Sequence, residues 1–167
     1  MEDTKEQQDF LAAYETSADA IFRFCYFRVF DREAALDITQ ESFMRTWEAL
    51  QKGKRVDNVR AFVYRVARNL IIDGSRKKKQ MSLEQLVQDG VLDSIATGGD
   101  DIANNIDLQL LLQSLDKLDS KYREVILMRY IEDLSPQEIA AILEESENAV
   151  SVRLNRAVKK LREVIVT

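Results

Sequence analysis

The sequence predicts an all-α protein built as two small helical modules joined by a flexible acidic linker. Breakers are scarce, with five glycines and one proline in 167 residues, too few for the many turns of a β architecture. Apolar residues recur at helical spacing over two stretches of the chain. Between them, residues 81–107 carry six acidic and no basic side chains, together with Gly90, Gly98 and Gly99, and no sustained periodicity. Such a segment reads as a linker with at most a short helical turn at 83–87. The predicted organisation is therefore a first module over 6–80, a linker over 81–107 and a second module over 108–167, a length that suits two small domains.

The first helix is predicted over 6–30 from Phe10, Tyr14, Ile21, Phe24 and Phe27, and the aromatic density from Phe22 to Phe30 reads as core. A second helix starts near Asp31 or Arg32 and runs to about Leu50. Its apolar stripe is Leu36, Phe43, Trp47 and Leu50, which recur at close to whole helical turns. Residues 51–59 form a polar loop, and a third helix follows from about Arg60 to Lys78 with Val63, Val66, Ala67 and Leu70 inward. Three amphipathic helices with short connections make a bundle.

Helical patterning returns at Asp107 with Leu108, Leu111, Leu112 and Leu115, and a further helix takes in Val125, Ile126, Met128 and Tyr130. Ser135-Pro136-Gln137-Glu138 is the clearest helix start in the chain: serine caps, proline fits the first helical position, and glutamate completes a capping box. Ile139, Ala140, Ile142 and Leu143 give that helix its apolar face. Glu144 and Glu145 turn the chain, and Ser146 caps a last helix from Glu147 to about Val164.

A net charge of -5 by itself argues against nucleic acid, but the distribution reverses that reading. Residues 54–79 hold nine basic and two acidic groups, and residues 151–162 hold five basic and none acidic. Each module thus carries a basic stripe, and the linker holds much of the acid. Composition also narrows the chemistry. With no histidine and one cysteine, Cys25, the chain offers no zinc cluster, no disulfide and no Cys/His nucleophile. Cys25 sits among aromatics and reads as a buried thiol. Carboxylate pairs such as Glu144 with Glu145 lie on a polar turn without a partnering base, so the expectation is no enzyme and no cofactor. No apolar run is long enough to span a membrane, and the polar, acidic N-terminus is unlike a secretory signal, which makes the cytoplasm the expected compartment.

The stretch from Leu134 to Arg162 has the form of a helix-turn-helix. Val150, Leu154, Ala157 and Leu161 give the last helix an inward stripe, leaving Asn148, Ala149, Ser151, Val152, Arg153, Asn155, Arg156 and Lys159 for a nucleic-acid surface. Asn and Arg can pair with base edges, and Lys and Arg neutralise phosphates. An ordinary solvated helical hairpin would show a similar pattern.

Three motifs weigh against the ordinary hairpin. The runs 122–130, 134–140 and 150–162 resemble the fourth conserved region of bacterial sigma factors, and a looser version occurs in response-regulator DNA-binding domains. Asp37 to Trp47, with Gln40-Glu41, Phe43 and Trp47 in order, resembles the second conserved region. Arg60 to Asp73 resembles the helix of that region which contacts the minus-10 promoter element, and it is the strongest match in the chain. The chain is thereby identified as a sigma-70-type factor of the small extracytoplasmic-function class, since no third module fits between the two and no long acidic segment precedes them.

The resemblance implies roles residue by residue. Asp37, Gln40, Glu41, Arg45 and Glu48 would face the β′ clamp helices of core RNA polymerase. Lys52, Lys54, Arg55 and Asn58 in the loop, with Arg60, Arg65, Arg68, Asn69, Arg76 and Lys77, would meet the minus-10 element, where the loop holds an extruded base. The last helix would read the minus-35 element in the major groove. Implied partners are core polymerase (through β′ and the β flap), promoter DNA and an anti-sigma protein. Two departures stand out. Glu144 occupies a turn position usually held by glycine, and Ser151 replaces a frequent lysine. Together with the acids Glu145 and Glu147, they predict modest or unusual minus-35 affinity. A two-module DNA-binding regulator without affinity for core polymerase is the competing reading.

Overall fold

The computed structural model describes residues 2–74, 83–90 and 102–166, and every regular element among them is helical. The chain divides into two compact units, residues 1–79 and 80–167. In the first, α1 (Glu2–Val29), α2 (Arg32–Gln51) and α3 (Val59–Asp73) each pack against the other two. The second contains α4 (Leu83–Gln88), α5 (Ile102–Asp116), α6 (Ser120–Ile126) with a π-helical turn (Leu127–Ile131), α7 (Pro136–Leu143) and α8 (Glu147–Val166). There α8 packs against α5, α6 and α7.

The corner between α1 and α2 shows how the aromatic run is used. Phe30 lies in the left-handed region at φ 51°, and its N–H donates to the Tyr26 carbonyl at 2.8 Å. That conformation costs a side-chain-bearing residue about 1 to 2 kcal/mol. Burying the ring contributes about 1.5 to 3 kcal/mol, and Phe30 is fully enclosed against Tyr26 and Phe27, with ring centroids 5.8 and 6.2 Å away. The core therefore outweighs the strain. Asp31 then starts α2, its carboxylate accepting from the Ala34 N–H at 3.1 Å. The aromatic segment is core as expected: Ile21, Phe24, Cys25, Tyr26 and Phe27 are buried, and Phe24 meets Tyr64 of α3 edge to face at 5.1 Å.

The inward face of α2 differs from the predicted stripe. Phe43 and Leu50 are buried, Trp47 is half-buried, and Leu36 is exposed. Ala34, Ala35, Ile38, Thr39, Ser42 and Thr46 fill the remaining contact surface. Three of these are hydroxyl residues, and each donates to a carbonyl one turn back: Thr39 to Ala35 at 2.7 Å, Ser42 to Ile38 at 2.6 Å and Thr46 to Ser42 at 2.7 Å. With its donor satisfied inside its own helix, a small hydroxyl can be buried at little cost. Small side chains let neighbouring helices approach, and the large Leu36 is left outside. In α1 a similar correction applies to Tyr14, which is 49% exposed.

In α3 the buried set is Ala61, Val63, Tyr64 and Ala67, so Tyr64 takes a core position while Val66 and Leu70 are only half-buried. The helix ends at Asp73 rather than near Lys78, where the Gly74 N–H bonds the Ile71 carbonyl at 3.3 Å.

Helix α5 begins at Ile102, five residues before the expected return of pattern at Asp107. Asn104 and Asn105 are poor helix formers and blur the sequence signal there. After α6 the backbone widens: the Glu132 N–H reaches the Leu127 carbonyl and the Leu134 N–H the Met128 carbonyl, both at 3.0 Å. This π-turn buries Leu127, Met128 and Ile131 and leaves Tyr130 60% exposed. The α7 capping box is present in full, with Glu138 N–H to Ser135 Oγ at 3.1 Å and Ser135 N–H to the Glu138 carboxylate at 3.3 Å. No helix among the described residues is long and apolar enough to cross a membrane.

Candidate nucleic-acid and partner interfaces

The helix-turn-helix is set by its turn. Glu144 follows α7 in the left-handed conformation, φ 57° and ψ 41°, the backbone that ordinarily favours glycine at a helix C-terminus. The Glu145 N–H closes the turn onto the Ala140 carbonyl at 3.0 Å. Ser146 caps α8 by accepting from the Ala149 N–H at 3.0 Å.

Helix α8 buries Val150, Leu154 and Ala157, with Leu161 half-buried. Asn148, Ala149, Val152, Asn155, Arg156 and Lys159 are exposed, and Ser151 and Arg153 are half-buried. Arg153 is engaged within the protein: its Nη2 lies 2.8 and 2.7 Å from the two carboxylate oxygens of Glu145. One acid expected to repel phosphate is thereby neutralised, and one expected DNA contact is drawn toward the turn. The pair is partly exposed, so its worth to stability is small. Upstream, the Arg123 guanidinium donates to the Leu118 carbonyl at 3.0 Å, and burial lowers its pKa.

In the first unit, Asp37, Gln40, Arg45 and Glu48 are exposed along one side of α2 and Glu41 is half-buried. Arg45 pairs with Glu41 one turn earlier at 2.8 Å. Sequence patterning missed two apolar members of this side: Leu36 at 39% and Met44 at 58% exposure. Met44 also helps line an apolar groove of about 570 Å³ between α1 and α2, together with Phe10, Leu11, Tyr14, Phe43 and Trp47. The signal for Met44 was available in principle, since it falls off the buried face of α2, whereas Leu36 shares the helical phase of Phe43 and Trp47 and spacing alone places it inward.

The loop before α3 presents Lys52, Lys54, Arg55, Asp57 and Asn58 to solvent. Asn58 has a structural task as well, because its side-chain oxygen caps α3 by accepting from the Ala61 N–H at 3.0 Å. Lys54 sits 5.1 Å over the half-buried Phe62 ring, a pairing of cation and aromatic face that patterning did not single out. On α3, Asn69 is exposed while Arg60, Arg65 and Arg68 are half-buried. Arg60 lies 5.8 Å over Tyr64, and the Nε atoms of Arg60 and Arg65 are enclosed. The basic face is thus partly inlaid in the bundle, with Ile72 exposed beside it. Arg76 and Lys77 lie outside the described residues.

Comparison with known proteins gives a consistent result. Residues 13–81 match the family model "Sigma-70 region 2" and residues 108–161 match "Sigma-70, region 4". The chain is 32% identical over 171 residues to the ECF RNA polymerase sigma factor SigW of Bacillus subtilis, covering 94% of this chain and 89% of that protein. It is 30% identical over 141 residues to the RNA polymerase sigma factor SigV of the same organism, covering 84% and 81%. Among solved structures it resembles CnrH in complex with the cytosolic domain of CnrY, with TM-score 0.61 and 25% identity over 95% of this chain and 88% of that one. The sigma factor RpoE bound to the anti-sigma factor NepR from Bartonella quintana shares the fold, with TM-score 0.64 and 19% identity over 100% and 99%.

Proposed function

The chain belongs to the extracytoplasmic-function group of the sigma-70 family, and from that premise we propose how its two units divide the work of starting transcription. As a sigma factor it joins core RNA polymerase and directs promoter-specific initiation. In our reading, the α2 side bearing Asp37, Gln40, Glu41, Arg45 and Glu48 docks on the β′ clamp helices. Leu36 and Met44 add apolar contact to that polar surface, since an interface combines apolar anchors with a polar rim. The second unit meets the β flap and carries the minus-35 reader.

The minus-10 element is engaged by the loop of Lys52, Lys54, Arg55 and Asn58 and by Arg60, Arg65, Arg68 and Asn69 on α3, extended by Arg76 and Lys77. Extruding a base costs a few kcal/mol, and a cationic loop beside the Phe62 ring is chemically suited to hold it. The minus-35 element is read from α8 through Asn148, Ala149, Ser151, Val152, Asn155, Arg156 and Lys159. Arg153 belongs to this set as a residue positioned by Glu145. An anti-sigma protein covering the α2 or α8 surface would switch the factor off, and the compartment is that of polymerase and chromosome, the cytoplasm.

The observation that carries this reading is the presence in one chain of both the α2–α3 unit matching region 2 and the helix-turn-helix matching region 4. The test is run-off transcription with core polymerase plus this protein on a promoter library. Promoter-selective transcripts that vanish without the protein are expected. DNA binding without association with core polymerase in a pull-down would support a plain helix-turn-helix regulator instead.

A further inference from the structure

Resting on the reading of α8 as the minus-35 reader, we infer that Val152 is a specificity determinant that packs against a thymine methyl group, with Asn148 and Asn155 beside it reading adenine. Val150 and Ala157 are fully buried and fix the inward side of α8. Val152 lies two residues beyond Val150, about 200° around the helix, and is 40% exposed. Asn148, Asn155 and Lys159 stand four residues before, three after and seven after it, on the same exposed side. Val152 thus presents part of a β-branched apolar side chain in the middle of a polar, basic face.

The nearest cation that would favour guanine is turned away from this centre. Arg153 is about 60° from the buried line, and both oxygens of Glu145 hold it at 2.7 to 2.8 Å. Arg156 stands four residues after Val152, beside Asn155 on the exposed side, and only Lys159 lies a further turn into the helix, away from the N-terminal residues with which a recognition helix meets the base edges. The front of α8 thus carries one apolar group between two carboxamides, with Arg156 next to the second of them. Thymine alone offers a methyl group in the major groove, and a carboxamide pairs with the N6 and N7 of adenine. The element facing the first three turns of α8 therefore contains at least one A·T pair, with its thymine methyl against Val152.

The test uses the full chain with core polymerase. Run-off transcription is measured on a library with a randomised minus-35 segment, made once with thymine and once with uracil in that segment only, which deletes the methyl group alone. Wild-type protein should enrich A·T pairs and lose about fourfold in promoter strength with uracil, equivalent to about 0.8 kcal/mol for one buried carbon. Val152→Ala should transcribe both libraries equally, and Asn155→Ala should relax the adenine preference about tenfold, within the range for a lost bidentate pair. Unchanged wild-type activity on uracil, undiminished uracil sensitivity in Val152→Ala, or selection of G·C pairs alone would overturn the inference. Selective transcription with no uracil effect would sink only this assignment. Absence of selective transcription from either library would sink the sigma reading as well.

Discussion

Glu144 is a residue whose backbone and side chain want different things. Its left-handed conformation at φ 57° belongs to the turn that places α8, and a side chain there costs about 1 kcal/mol relative to glycine. Glu144→Gly should raise stability by about 0.5 to 1 kcal/mol, seen as a higher Tm in thermal unfolding, and should remove one acid from beside the reading helix. Promoter binding should then tolerate somewhat more salt, because fewer like charges oppose the phosphates. A lower Tm would show that the carboxylate contributes more than the strain removes. The acids around α8 were legible in the sequence as a run of charge. That Glu145 spends its charge on Arg153 was not, because those residues are eight apart and meet only when the turn folds one onto the other.

At the scale of elements, α2 shows where periodicity misleads. A hydropathy pattern ranks Leu36 above Ser42 and Thr46, yet the helix buries the hydroxyls and exposes the leucine. The decisive factor is the separation of helices, which permits only small groups at those positions. Ser42→Leu should cost about 1 to 3 kcal/mol by overpacking a filled site, read as a lower denaturant midpoint. Leu36→Ala should change stability by less than about 0.5 kcal/mol, as exposed substitutions do, while weakening the association with core polymerase in a pull-down. A large stability loss from Leu36→Ala would return that residue to the core and remove it from the docking surface. The starts of α7 and α8 were read correctly in advance because their signals are local: Ser135 and Ser146 each accept from an N–H three residues on. The end of α3 and the start of α5 were not, since neither has a strong local signal.

For the whole molecule, the two units separate functions that mutations should also separate. Arg65→Ala with Arg68→Ala should reduce open-complex formation, measured by permanganate reactivity of the melted promoter, and leave core binding intact. Loss of core binding in that double variant would contradict the assignment of α2 and α3 to different partners. Both arginines are half-buried, so thermal unfolding of the variant is the necessary companion measurement. The sequence by itself determined the class of the protein: two helical units, a basic stripe in each, and motifs short enough to be local in the chain. Those properties follow from periodicity, capping and composition, which act over a few residues. Only the tertiary structure decided which side chains are available to a partner. It turned Leu36 and Met44 outward, inlaid Arg60 and Arg65 in the bundle, tied Arg153 to Glu145 and left Val152 in front. Each of those outcomes depends on how closely two helices approach or how a turn closes, and that distance is set by packing between residues far apart in sequence.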